Sequence, residues 1–206
     1  MTAKTSAADI IAWGQEAMRS EGQSLLRTAS LLDQEFSGAV EAILGCSGKV
    51  VLTGMGKSGH IARKIAATFA STGTSSFFMH PSEALHGDSG MLESRDILLA
   101  IGFGGETREV LEVAKFARRQ GVKVISITGK RESSLSQLSD YKIDGSIERE
   151  ACPLNLAPTN STTVALAIGD ALAVSLMKAR GFQERDFAQY HPGSPGSVWR
   201  DFPKLC

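Results

Sequence analysis

Gly54-Met55-Gly56-Lys57-Ser58-Gly59 puts glycines, a cation and a hydroxyl into one short run. Glycines let backbone N–H groups approach an anion, and a helix starting there adds partial positive charge. The run fits G-x-G-x-x-G, but a dinucleotide site also needs an acid about 20 residues on, and the next apolar run ends Phe78-Met79-His80. A nucleotide-triphosphate loop needs glycine where Val51 stands. What remains is either a small-anion site, with Gly56, Lys57 and Ser58 as its donors, or a turn that needs glycine only for its backbone angles. Gly102-Phe103-Gly104-Gly105-Glu106-Thr107 is a second such turn. Gly104, Gly105 and the Thr107 hydroxyl are its candidate phosphate contacts. The alternative is a structural turn in which Glu106 stabilises a helix start. Two anion-friendly turns together suggest a phosphorylated small molecule.

One reaction open to such a molecule, isomerising a sugar phosphate, moves a proton between adjacent carbons. The reaction needs a base, a group that shuttles protons between oxygens, and a cation or donor on the developing enediolate. Candidates are Lys57, His80, His86, Glu109, Glu150 and His191, and spacing alone does not gather them. His60 falls within the first helix after the loop and reads as a packing or surface residue. His80 and His86 lack the partner pattern of a metal site, so no metal is expected.

These residues need a scaffold. Apolar spacing of three and four marks helices over 6–19 and 22–44. Lys49–Thr53, Ser75–His80, Asp96–Phe103, Lys123–Thr128 and Tyr141–Ile147 read as strands. Between and after them, 58–71, 106–119, 133–139 and 159–180 read as helices, the last ended by Gly181. Strands alternating with helices give βαβ units and a parallel sheet with helices on both faces. Ligands in such sheets sit at the carboxyl ends of the strands, which brings the two glycine turns to one crevice. Ser161 and Thr162, at the start of the last helix, are further anion candidates or simply its caps.

The chain has 206 residues, with 22 basic and 22 acidic side chains. Zero net charge argues against nucleic acid as a partner. No apolar run approaches the roughly 18 residues of a membrane span, and the N-terminus lacks a secretory pattern. Cys46, Cys152 and Cys206 are odd in number and far apart, as expected of reduced thiols in the cytoplasm.

Three longer runs carry a resemblance: 54–74 (GMGKSGHIARKIAATFASTGT), 77–91 (FFMHPSEALHGDSGM) and 150–163 (EACPLNLAPTNSTT). Together with GDALAVSLMKARGF (169–182) and DFAQYHPG (186–193), they resemble sugar isomerase (SIS) domains, in the arabinose-5-phosphate isomerase subgroup of the Kdo pathway. The resemblance implies a single SIS domain over 1–206: a helical extension over about 1–45, an α/β core over about 46–182 and a tail over 183–206. The implied fold is a flavodoxin-like three-layer α/β/α sandwich with a five-stranded parallel sheet. The implied reaction interconverts D-ribulose 5-phosphate and D-arabinose 5-phosphate without a cofactor. The implied assembly is a homotetramer with active sites shared across subunits. By resemblance Lys57 clamps phosphate or enediolate, and His86 and His191 serve ring opening and proton shuttling, His191 from a neighbouring subunit. Glu109 and Glu150 are the two carboxylates, either of which is the base.

The chain departs from that pattern in three places. The phosphate turn, Ser-x-Ser-Gly-Glu in the family, is Gly102-Phe103-Gly104-Gly105-Glu106 and lacks both hydroxyls. No CBS pair follows, so regulation through such modules is not expected. Ser194–Arg200 replaces the usual Gly-x-Leu-Gly segment. The changed turn keeps open an isomerase of another sugar phosphate, or a sugar-phosphate-binding regulator without turnover.

Overall fold

The apolar runs become the strands Val50–Gly54 (β1), Ser76–Phe78 (β2), Ile97–Ile101 (β3), Lys123–Thr128 (β4) and Tyr141–Asp144 (β5). In the computed structural model, which describes residues 5–191, they form one sheet in the order β2-β1-β3-β4-β5. Every pairing is parallel, as an alternation of strand and helix requires. The order reverses between β1 and β3, so the ligand crevice belongs at their carboxyl ends. Ser194–Arg200 and Cys206 lie outside the described residues.

Strand pleating sorts the core into two layers. Val50, Leu52, Ile97, Leu99, Ile101, Ile125 and Ile127 face one side. There they meet the helices Gln34–Leu44 (α2), Lys57–Ser71 (α3) and Asn160–Arg180 (α7). Val51, Leu98, Ala100 and Val124 face the other, against Pro81–Ala84 (α4), Arg108–Arg119 (α5) and Ser134–Gln137 (α6). This is the expected α/β/α sandwich. The first helix, Ala7–Leu31 (α1), lies outside α7, and Glu184–Tyr190 (α8) follows it.

The N-terminal helices divide differently from expectation. The break falls at Leu32–Asp33 rather than near residue 20. Gly22 costs a helix about 1 kcal/mol relative to alanine, which one position in a long helix tolerates. Asp33 ends the ambiguity by accepting from Glu35 N at 3.0 Å, capping α2.

Helix α7 is long and apolar enough, by length and composition, to cross a membrane. Asp170 interrupts the run, so a search for uninterrupted apolar residues passes over it. The helix instead buries Val164, Ile168, Leu172 and Leu176 in the core. Its approach to α3 is close: a methyl group at Gly169 would strike the Ile65 side chain.

Candidate active site

A cavity of about 560 Å³ opens where the switch point predicts, at the carboxyl ends of β1, β3, β4 and β5. Ile101, Ile127, Ile147 and Ala165 give it an apolar floor. Lys57, Ser58, Arg149, Glu150, Ser161 and Thr162 supply its polar wall, with Glu148 and Asn155 beside them. One motif therefore arrives from each end of the domain, on the first turns of α3 and α7.

The composition of the glycine loop has a local cause. Gly56 is the N-cap of α3 with φ +59°, a left-handed conformation that favours glycine. A Cβ at Gly59 would lie 2.5 Å from the carbonyl oxygen of Gly54, so this glycine lets α3 pack directly on β1. Gly59 and His60 return their N–H groups to Met55 and Gly56. The earlier N–H groups, on Lys57 and Ser58, have no protein partner among the described residues, which leaves them open at the cavity.

The N-terminus of α7 is already occupied. The buried carboxylate of Glu150 accepts from Thr159 N at 2.8 Å, Thr159 Oγ1 at 3.1 Å and Ser161 N at 3.1 Å. It also accepts a short hydrogen bond from the Ser161 hydroxyl. Burial pushes this carboxyl up, but the Ser161 hydroxyl, the N–H groups of Thr159 and Ser161 and the Thr159 hydroxyl outweigh it. Together they hold Glu150 below the ordinary carboxylate value. Thr162 donates its hydroxyl to Thr159 O at 2.9 Å. The Ser161 and Thr162 hydroxyls, two of the named phosphate candidates, are thus engaged within the chain.

The loop that carries Glu150 is held at both ends. Glu150 N donates to Asn155 Oδ1 at 2.7 Å, and Ala151 N donates to Thr159 Oγ1 at 2.9 Å. Asn155 adopts φ +53° to make this possible. The same turn aims the N–H groups of Ala157, Leu156, Leu154 and Asn155 at the Cys152 thiol. They outweigh burial and hold it below its ordinary value.

Phe103 stands at the mouth. Its ring covers Gly129, where a Cβ would strike it, and its carbonyl accepts from Gly129 N at 2.9 Å. The rest of that turn faces elsewhere. Gly105 and Thr107 line a separate crevice against Val110 and Leu135, and Gly104 borders open space. Thr107 is the N-cap of α5 without a side-chain bond. Glu106 accepts from Ser134 N at 2.8 Å and Ser134 Oγ at 2.7 Å, tying the turn to α6.

Four further candidates do not line this cavity, and the first, His80, instead accepts from Ser82 N at the start of α4. His86 is exposed on the turn after α4. Glu109 is half-buried in the first turn of α5. His191 ends α8, its ring stacked on Phe187 at 3.7 Å and its Nδ1 2.9 Å from Phe187 O. A single chain therefore gathers Lys57, Ser58, Glu150, Ser161 and Thr162 and leaves His86, Glu109 and His191 apart. Among the described residues no group of three or more His, Cys, Asp or Glu side chains is placed to hold a metal.

Reading the sequence alone overlooked Arg149, Asn155 and Thr159. The last two carry a signal, since Thr159 precedes an apolar helix and Asn155 sits in a turn-forming run. Arg149 carries none beyond its place next to Glu150.

The SIS domain pattern matches residues 43–175. The arabinose 5-phosphate isomerase KdsD of Salmonella typhi is 51% identical over 180 residues, covering 87% of this chain and 55% of that protein. The KdsD of Yersinia pestis is 50% identical over the same length, with the same coverage. This chain thus spans about half the length of these relatives. An E. coli CFT073 protein solved in complex with arabinose 5-phosphate superposes with a TM-score of 0.88 at 40% identity, covering 91% of this chain and all of that one.

Proposed function

The chain belongs to the SIS domain family, and on that premise we propose that it interconverts D-arabinose 5-phosphate and D-ribulose 5-phosphate, feeding Kdo for lipopolysaccharide or capsule in the cytoplasm. The carrying observation is the cavity at the switch point, which brings Lys57 and Ser58 on α3 together with Glu150 and Ser161 at the start of α7. The relatives named arabinose 5-phosphate isomerase and the solved complex with arabinose 5-phosphate support the substrate class.

The reaction removes the C2 proton of the open-chain aldose and delivers a proton to C1, with a proton passing between O1 and O2. An enediolate forms in between. Lys57 neutralises its developing charge from the first turn of α3. Glu150 is a poor base in the arrangement seen, because four donors hold its charge. It acts as a positioning residue, fixing Ser161 and the start of α7 against the cavity. The proton transfers then fall to Glu109, His86 and His191, brought to the cavity by assembly into a tetramer, with His191 from a neighbouring subunit. The exposed Ile10, Ile11, Trp13, Met18 and Leu26 of α1 support assembly, since such an apolar stretch is a surface a second copy covers.

Proton NMR in deuterated water tests the reading. D-arabinose 5-phosphate and D-ribulose 5-phosphate, with hexose phosphates alongside, are each incubated with the protein. Interconversion with deuterium entering at C2 of the aldose or C1 of the ketose is expected. Exchange only with another sugar phosphate moves the substrate, an outcome the missing hydroxyls at Gly102 and Gly104 would explain. Binding without exchange assigns a regulator and overturns the isomerase.

A further inference from the structure

We propose that Arg149 is the phosphate clamp of this cavity, closing on the phosphoryl end of the sugar together with the open N-terminus of α3. The inference rests on the sugar-phosphate reading above and assigns its charged end. A dianionic phosphoryl group needs cationic or N–H donors that are not already engaged. The cavity offers few. The hydroxyls of Ser161 and Thr162 are given to Glu150 and to Thr159 O. The N–H groups of Thr159 and Ser161 also go to Glu150. Gly102 and Gly104 have no hydroxyl to give, and Thr107 faces another crevice. Glu148 and Glu150 add negative charge to the wall, which a phosphate would oppose unless cations answer it.

The cations on the cavity wall are Lys57 and Arg149. The backbone of Arg149 is fixed: its carbonyl accepts from Asn160 Nδ2 at 2.8 Å, and the next residue is held by Asn155. Its side chain is exposed and borders both the cavity and the grooves between α1 and the 148–151 loop. A guanidinium on a fixed stem, free to turn into the cavity, presents a planar fork that matches phosphate oxygens two at a time. The N–H groups of Lys57 and Ser58 complete the phosphate cradle, and the Lys57 ammonium is left for the enediolate.

Titration calorimetry with inorganic phosphate and with D-arabinose 5-phosphate tests this on wild type, Arg149→Gln and Arg149→Lys, beside steady-state kinetics. Losing a charged hydrogen-bonding partner is expected to raise both dissociation constants and KM on the order of 10- to 100-fold in Arg149→Gln, with kcat changing far less. Arg149→Lys is expected to recover part of the loss, since it keeps the charge without the fork. Unchanged phosphate affinity in Arg149→Gln, with wild type still binding, overturns the clamp and leaves the isomerase reading standing. A lower Tm and lower kcat at unchanged phosphate affinity also overturns it, as that is a structural role. Wild type that binds neither compound overturns both readings.

Discussion

Ser161 gives both its hydroxyl and its backbone N–H to the buried carboxylate of Glu150, so the cap of α7 comes from a loop outside the helix. A helix N-terminus inside an α/β crevice is usually open to ligand anions. Here the chain supplies its own anion, and the two roles open to Glu150, base and cap, compete for the same lone pairs. Glu150→Gln keeps the shape and one acceptor but loses the charge. It is expected to cost roughly 1–3 kcal/mol of stability and to lower turnover at least on the order of 100-fold while the chain stays folded. Denaturant titration and the isomerase assay read the two effects separately.

The same pair sets a pH dependence. The carboxyl of Glu150 in the folded chain lies below its ordinary value of 4.5, because the Thr159 and Ser161 donors outweigh burial. A depressed folded value means that the stabilisation is fully present above the unfolded value and is lost as pH falls through the folded one. The difference in Tm between wild type and Glu150→Gln is therefore expected to be constant from pH 7 down to about 5 and to shrink below that. A constant gap down to about pH 3 would show that the charge contributes nothing.

Gly102 and Gly104 can be returned to serine. A Cβ at Gly102 meets only Leu135 Cδ2 at 3.8 Å, and one at Gly104 meets nothing within 4 Å. The double variant is expected to fold as wild type and, because this turn faces away from the cavity, to leave KM for D-arabinose 5-phosphate within about threefold of wild type. A KM lowered about 10-fold, the value of one charged hydrogen bond, would mean that the turn reaches the phosphate. Gly105→Ser is the contrast: φ is +68° and its Cβ would strike the Ser133 side chain, so it should lose stability instead.

Phe103 and Gly129 form a coupled pair at the cavity mouth. Gly129→Ala drives a methyl group into the Phe103 ring. Alone it is expected to cost about 1–3 kcal/mol, and in a Phe103→Ala background close to nothing. A double-mutant cycle on Tm measures the coupling, and additivity would mean that the ring does not rest on Gly129.

Strand β4 occupies the same residues, Lys123–Thr128, that the sequence marks, because Val124, Ile125 and Ile127 are β-branched and Gly129 stops the run. Short α4 and the 3-10 turn Asp88–Met91 show no periodicity to read. His80 caps α4 by accepting from Ser82 N, a local signal too small to stand out. In the site, Lys57 and Ser58 were legible because glycines enforce the loop and the switch point fixes its place. Arg149 was not, since its meaning comes from Asn160, which holds its carbonyl from another element. Nor could spacing gather Glu109, His86 and His191: within one chain they stay apart.

That separation carries the last prediction. If His191 serves the cavity of a neighbouring subunit, His191→Ala and Glu150→Gln damage the same site from two different chains. Each variant alone is expected to lose turnover at least on the order of 100-fold while keeping its folded mass. Mixed by co-expression, some cavities combine an intact Glu150 from one chain with an intact His191 from another, and activity is expected to return to a sizeable fraction of wild type. Activity in the purified mixed assembly, its mass checked by analytical ultracentrifugation, reads the outcome. If the mixture is as inactive as its parts, His191 either serves its own chain's cavity or none. In the second case the stacking of His191 on Phe187 is its whole role. The assembly itself has a companion test: Trp13→Asp on the exposed face of α1 should lower the mass, and it should abolish complementation with it.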